Sequence, residues 1–146
     1  KTRHVAMENF YTGQKQNVLN PGEFIEAIEL PKPVRGHRFH AHKVSKRFEQ
    51  DISATCCALH YRVVKGLLKD VRLAYNGLTP YPARAPKIEA ILEGRAPAEV
   101  TPQALDAAIA ASFTPRDGLR ATWTYRALIA RNLVLQFLES AAEETV

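Results

Sequence analysis

The sequence predicts an α+β domain: an antiparallel sheet of about three to four strands packed on three helices. Two patterns carry that prediction. Up to about residue 76, apolar residues alternate in short runs separated by turn residues, as in half-buried strands. From residue 82 onward they recur at three- and four-residue steps, as on helices with one buried face. Strands first and helices afterwards is the order of an α+β fold rather than of a βαβ repeat. The length of 146 residues fits one domain with one core, spanning 1–146.

Each element follows from its residues. "MENFYTGQKQNVLNPGE" opens with a short amphipathic piece and ends in the turn Asn20-Pro21-Gly22. "EFIEAIEL" is a mostly apolar, strand-like run that Pro31 and Pro33 stop. "HRFHAHKV" is a second strand, with Phe39, Ala41 and Lys43 on one face and Arg38, His40 and His42 on the other. Ile52 through Val64 and "LKDVRLAY" read as two longer strands joined at Lys65-Gly66, the second alternating through Leu68, Val71, Leu73 and Tyr75. "PARAPKIEAILEG" is a helix on Ile88, Ile91 and Leu92 that stops at Gly94. "TPQALDAAIAAS" has Thr101 as its cap and Pro102 at its first position. A last helix, from about Leu119 to Ala142, carries Trp123, Ala127, Ala130, Val134, Phe137 and Leu138 along one stripe.

Composition narrows the function classes. No apolar run approaches the roughly 20 residues of a membrane span, and no cleavable leader is visible in "KTRHVAMENF". The expectation is a cytoplasmic protein without membrane contact. Because position 1 is Lys, the chain is expected to be a piece of something longer. Cys56 and Cys57 are adjacent and would point to opposite faces of a strand, so they are expected to be reduced, small and buried. The net charge of +5 is concentrated in residues 32–47, which hold six Lys or Arg, three His and no acid. Such a run is either a solvated face or a patch that meets an anion.

The chemistry-bearing residues stay short of a reaction on their own. His40 and His42 share a strand face and could share a metal, yet no third ligand is near, so no metal site is expected. Catalytic nucleophile and nucleotide-loop motifs are absent. Ser45 and Ser53 suit turns or caps, and Asp51 suits a partner for Arg47 or for loop amides. No catalytic residue is assigned.

Four segments together resemble a known family. "LNPGEFIEAIELP" (19–31), "FHAHKVSKRFEQDIS" (39–53), "AYNGLTPYPARAPKIEAILEG" (74–94) and "DGLRATWTYRALIARNLVLQFL" (117–138) follow one another as in the C-terminal domain of flavoproteins of the xanthine dehydrogenase and carbon monoxide dehydrogenase family. The last matches with Arg120, Tyr125 and Arg126 in the family's places, while Asn76-Gly77 replaces its usual double glycine and Phe48 stands where an Arg is common. The resemblance implies a preceding FAD-binding domain, missing here, together with an iron–sulfur domain and a molybdenum subunit as partners. FAD would be the cofactor, with molybdopterin and 2Fe-2S clusters elsewhere in the complex. In such enzymes the molybdenum centre oxidises the substrate and the clusters relay electrons to FAD, which in xanthine dehydrogenases reduces NAD. By the same resemblance Phe24, Ile25 and Lys43 contact the flavin, and Arg47, Glu49 and Asp51 form a charged loop on the flavin and NAD side. The isolated piece would be inactive and could form a homodimer. The other classes that the residues allow are a nucleic-acid-binding module using residues 32–47, which lacks interleaved aromatics and any known motif, and a protein-interaction domain.

Overall fold

The computed structural model describes residues 1–47 and 52–143. Its centre is a four-stranded antiparallel sheet in the order β3-β4-β5-β6, with β3 at His37–Val44, β4 at Thr55–Val64, β5 at Leu67–Asn76 and β6 at Ala83–Arg84. A small hairpin, β1 (Tyr11–Gly13) with β2 (Gln16–Asn17), precedes it. Three helices follow: α1 (Pro86–Leu92), α2 (Pro102–Ser112) and α3 (Trp123–Glu143). The expected α+β class, strand number and helix number are all present.

The hairpin β4–β5 is built as its residues require. Lys65 and Gly66 both take positive φ, 51° and 77°, which is the tight turn whose twist suits a two-residue hairpin. The apolar alternation of β5 skips a residue between Leu68 and Val71, and the reason is a bulge. Register moves by one between His60 and Arg62, so Asp70 and Val71 together face Tyr61. Asp70 adopts φ 55° there and pairs with Arg62. The bulge returns Val71, Leu73 and Tyr75 to the helix-facing side, where all three are buried.

The core lies between that side and the helices. Cys57, Leu59 and Tyr61 from β4 and Leu68, Leu73 and Tyr75 from β5 meet Ile88 and Leu92 of α1, Leu105 and Ile109 of α2, and Ala130, Leu133, Val134, Phe137 and Leu138 of α3. Each fully buried aliphatic or aromatic side chain contributes about 1.5–3 kcal/mol of transfer free energy, so this cluster carries the fold. Two tyrosines tie sheet to helix by donating to α3 carbonyls: Tyr75 to Ala130 at 3.0 Å and Tyr61 to Phe137 at 3.4 Å. His40 adds to the same seam, stacking on Tyr61 and Phe137 with its Nε2 3.2 Å from the Tyr61 hydroxyl. It is a packing residue, and no group of three or more metal-ligating side chains exists among the described residues.

At the sheet edge, α1 is held by charge. Glu89 is buried and accepts from the Leu73 backbone N–H at 2.8 Å and from Arg84 at 2.6 Å. Arg84 thereby has its pKa raised, chiefly by the hydrogen bond to Glu89. The helix α2 begins at the expected cap, with the Thr101 hydroxyl accepting from Ala104 N–H.

Four expectations need correction. The strand from Ile52 begins only at Thr55; Ile52 is exposed and Ser53 and Ala54 form the bend into β4. Helix α3 begins at Trp123 rather than near Leu119. Residues 117–122 form a tight loop closed by a Gly118–Ala121 bridge, and Asp117 caps the helix by accepting from Trp123 N–H at 2.6 Å. Cys56 is not buried; it lies on the sheet face away from the helices, and only Cys57 points into the core. The run 24–30 forms no strand. Its alternation is strand-like, but a strand needs a neighbour, and no described strand pairs with it. Phe24, Ile28 and Leu30 are 80%, 77% and 82% exposed as a result.

Gly77 ends β5 at φ 97°, and a Cβ there would lie 2.3 Å from the Ala54 carbonyl oxygen. Gly77→Ala is therefore expected to destabilise the fold by about 2–4 kcal/mol, through both the left-handed backbone and the backbone clash. Thermal unfolding checks this, and an unchanged Tm would show that the approach is not tight. Burial pushes the Cys57 thiol up to about 12, leaving it protonated and shielded. Iodoacetamide is expected to label Cys56 alone in the folded protein and both thiols in denaturant. Labelling of Cys57 at the rate of Cys56 would overturn the placement of β4.

Candidate functional site

The helix-free face of the sheet is where β3 places Lys43. Cross-strand register sets three rows on that face: Phe39, His60 and Arg72; then Ala41, Ala58 and Ala74; then Lys43, Cys56 and Asn76. From β3 to β5 the middle row carries nothing larger than a methyl group, and in β6 it ends at Arg84. It forms a flat shelf with Lys43 at one rim and Phe39, largely exposed, at the other. A planar ring system can lie on such a shelf without displacing side chains, so these residues are compatible with a flavin.

The other expected site residues scatter. Arg47 is exposed just beyond β3. Glu49 and Asp51, with Phe48, lie outside the described residues. Phe24 and Ile25 are exposed on the extended segment 23–34, whose polar contacts run to the N-terminus: Glu23 to Arg3 at 2.7 Å, Glu26 to Thr2 at 3.2 Å and Glu29 to His4 at 3.4 Å. The Arg3 hydrogen bond is the main cause that lowers the Glu23 carboxyl to about 2. The basic run 32–47 does not form one surface either, because Arg38 and Lys43 belong to opposite faces of β3.

A second feature was not singled out from the sequence. At the end of β5, the Asn76–Pro80 turn, the 112–118 loop and the start of α3 border a half-open cavity of about 600 Å³. Arg116, Arg120 and Arg126 line it, with Asp117 as the one acid among the lining residues. Arg126 donates from Nη1 to the Gly77 carbonyl and from Nε to the Ala121 carbonyl, which ties the loop before α3 to the end of the sheet. These arginines come from one stretch, but the wall they face is 40 residues away in sequence, so no local spacing announces the cavity. Among the described residues, no helix is long and apolar enough to cross a membrane.

Comparison with known proteins agrees with this architecture. Residues 40–141 match the family described as "CO dehydrogenase flavoprotein C-terminal domain". The chain is 31% identical over 90 residues to the chicken (Gallus gallus) xanthine dehydrogenase/oxidase, an overlap covering 60% of this chain and 7% of that protein. It is 23% identical over 141 residues to the glyceraldehyde dehydrogenase medium chain of Sulfolobus acidocaldarius, covering 97% of this chain and 50% of that one. Among solved structures, the carbon monoxide dehydrogenase from Hydrogenophaga pseudoflava superposes with a TM-score of 0.74 at 28% identity, covering 88% of this chain and 44% of that chain. The chain thus spans half or less of the length of each of these relatives. With the family match covering most of its length and the fold shared, the chain belongs to the CO dehydrogenase flavoprotein C-terminal domain family.

Proposed function

We propose that this chain is the C-terminal part of the FAD-binding portion of a xanthine dehydrogenase-like molybdenum hydroxylase, where it helps to position the flavin. The observation that carries the reading is the alanine shelf of the sheet with Lys43 at its rim. The family membership and the likeness to xanthine and carbon monoxide dehydrogenases support it.

FAD, when bound, supplies the two-electron chemistry that links one-electron iron–sulfur clusters to a hydride acceptor such as NAD. The chain's own residues act on its placement. Ala41, Ala58 and Ala74 present a smooth surface to one side of the ring. Lys43 holds a positive charge beside it, which favours the anionic reduced form over the neutral oxidised one. Phe24 and Ile25, exposed on their segment, supply apolar contact from the N-terminal side. Arg47, Glu49 and Asp51 border the approach of NAD. The preceding FAD-binding domain holds most of the cofactor, and the iron–sulfur domain and molybdenum subunit complete the electron path.

The test uses the full polypeptide that carries this chain, comparing its parent form with Lys43→Ala. Removal of one cation beside the ring in a solvated setting would withdraw about 1 kcal/mol from the reduced anion, or roughly 20 mV for a two-electron couple. The variant is expected to show lost flavin or a potential lower by that order. Unchanged flavin content and potential would remove Lys43 from the site, and a parent form that binds no flavin would overturn the reading as a whole.

A further inference from the structure

The cavity at the end of β5 holds more positive charge than its surroundings neutralise. Three of its lining side chains are arginines and one is an acid, a net charge of +2. Asp117 commits Oδ1 to the Trp123 N–H. Arg126 donates from Nη1 and Nε to the backbone carbonyls of Gly77 and Ala121 and meets no carboxylate among the described residues. Arg116 and Arg120 are exposed at the mouth, and no ion pair among the described residues holds either of them. Guanidinium groups keep their charge at every accessible pH, so this potential is permanent. Four other arginines are paired, Arg3 with Glu23, Arg62 with Asp70, Arg84 with Glu89 and Arg131 with Asp106, while Arg35, Arg72 and Arg95 meet no carboxylate among the described residues. What sets Arg116, Arg120 and Arg126 apart is that all three gather around one concavity.

We propose that this cavity binds a small anion through a diphosphate group, gripped by Arg116 and Arg120 against a wall fixed by Arg126. Charge and shape point to that chemistry. The planar fork of a guanidinium matches the paired oxygens of a phosphate, and two forks match two phosphates. A net +2 lining suits a di- or trivalent anion better than a single carboxylate. The volume of about 600 Å³ exceeds what one oxyanion fills and lies in the range of small-ligand sites. Leu78 and Phe113, both buried, give the cavity an apolar wall on which an organic portion of the ligand can rest. Arg126 positions the loop that carries the other two and is not itself the grip. Lys43 and a flavin take no part in this grip, although Lys43 and Asn76, a cavity residue, lie in the same row two strands apart.

The experiment is calorimetric titration of the full polypeptide with inorganic diphosphate and, separately, with ADP. One saturable site is expected for diphosphate, and Arg116→Ala combined with Arg120→Ala is expected to weaken it by roughly tenfold or more. Both side chains are exposed, so Tm is expected to be unchanged and loss of binding is not loss of fold. Lys32→Ala combined with Arg35→Ala removes the same charge from another part of the surface and is expected to leave the affinity as it was. ADP binding that falls with the arginine pair assigns the diphosphate to a nucleotide; diphosphate binding without ADP binding assigns it to a free anion. Absence of saturable diphosphate binding, or equal weakening by the Lys32 and Arg35 variant, would overturn the site.

Discussion

Glu89 is the one charged side chain buried among the described residues, and the arrangement of sheet and helices turns on it. Its carboxylate satisfies the Leu73 amide of β5 and two nitrogens of Arg84 in β6. Without it, β6 would be two residues held by one short ladder, and the middle of α1 would rest on Ile88 and Leu92, with hydrogen bonds to β5 left only at its ends, from Ala85 and from Glu93, Gly94 and Arg95. Removing one member of such a pair leaves the other short of a partner; with Arg84 partly hydrated, the cost falls near the lower end of the usual range, about 3 kcal/mol. The same edge sets the turn from Asn76 to Pro80, and hence the wall of the arginine-lined cavity.

The two faces of the sheet differ in what they carry. One face is filled by aromatic and branched side chains under three helices. The other carries alanines along a central row, which no stability argument requires, because larger β-branched residues would fit an exposed strand face at least as well. Small side chains there keep a surface flat. Lys43 at the rim of that surface and the arginines beyond Asn76 place positive charge at one end of the sheet, on different elements and at different depths.

How much of this was legible in the sequence depended on how local the cause was. Strand β3, the hairpin turn at Lys65-Gly66, the Thr101 cap and the helical stripe of α3 are written in neighbouring residues, and the structure has them where expected. Even the bulge left a trace, in the extra residue between Leu68 and Val71. The run 24–30 shows the limit of that reading. Alternation reports what a segment could bury, not whether a partner strand is there. The sequence places the start of α3 at about Leu119, whereas Asp117 and the Gly118–Ala121 bridge start the helix four residues later. The arginine cavity was invisible for a further reason: Arg126 meets the Gly77 carbonyl 49 positions away, and only the folded chain brings them together.

None of residues 1–34 is buried, and that has a thermodynamic consequence. A segment that removes no side chain fully from water adds little to the cooperative unfolding of the core; its opening is governed by exposed and half-buried contacts such as Arg3 with Glu23, Glu8 with Arg84 and Tyr11 against Tyr81. Its amides would exchange with solvent on a fast tier while those of β4 and β5 exchange only on global unfolding. Holding it in a single conformation against another surface would cost about 1–2 kcal/mol of backbone entropy for each residue fixed. A surface that met Phe24, Ile28 and Leu30 would therefore have to supply enough apolar contact to order the segment as well as to hold it.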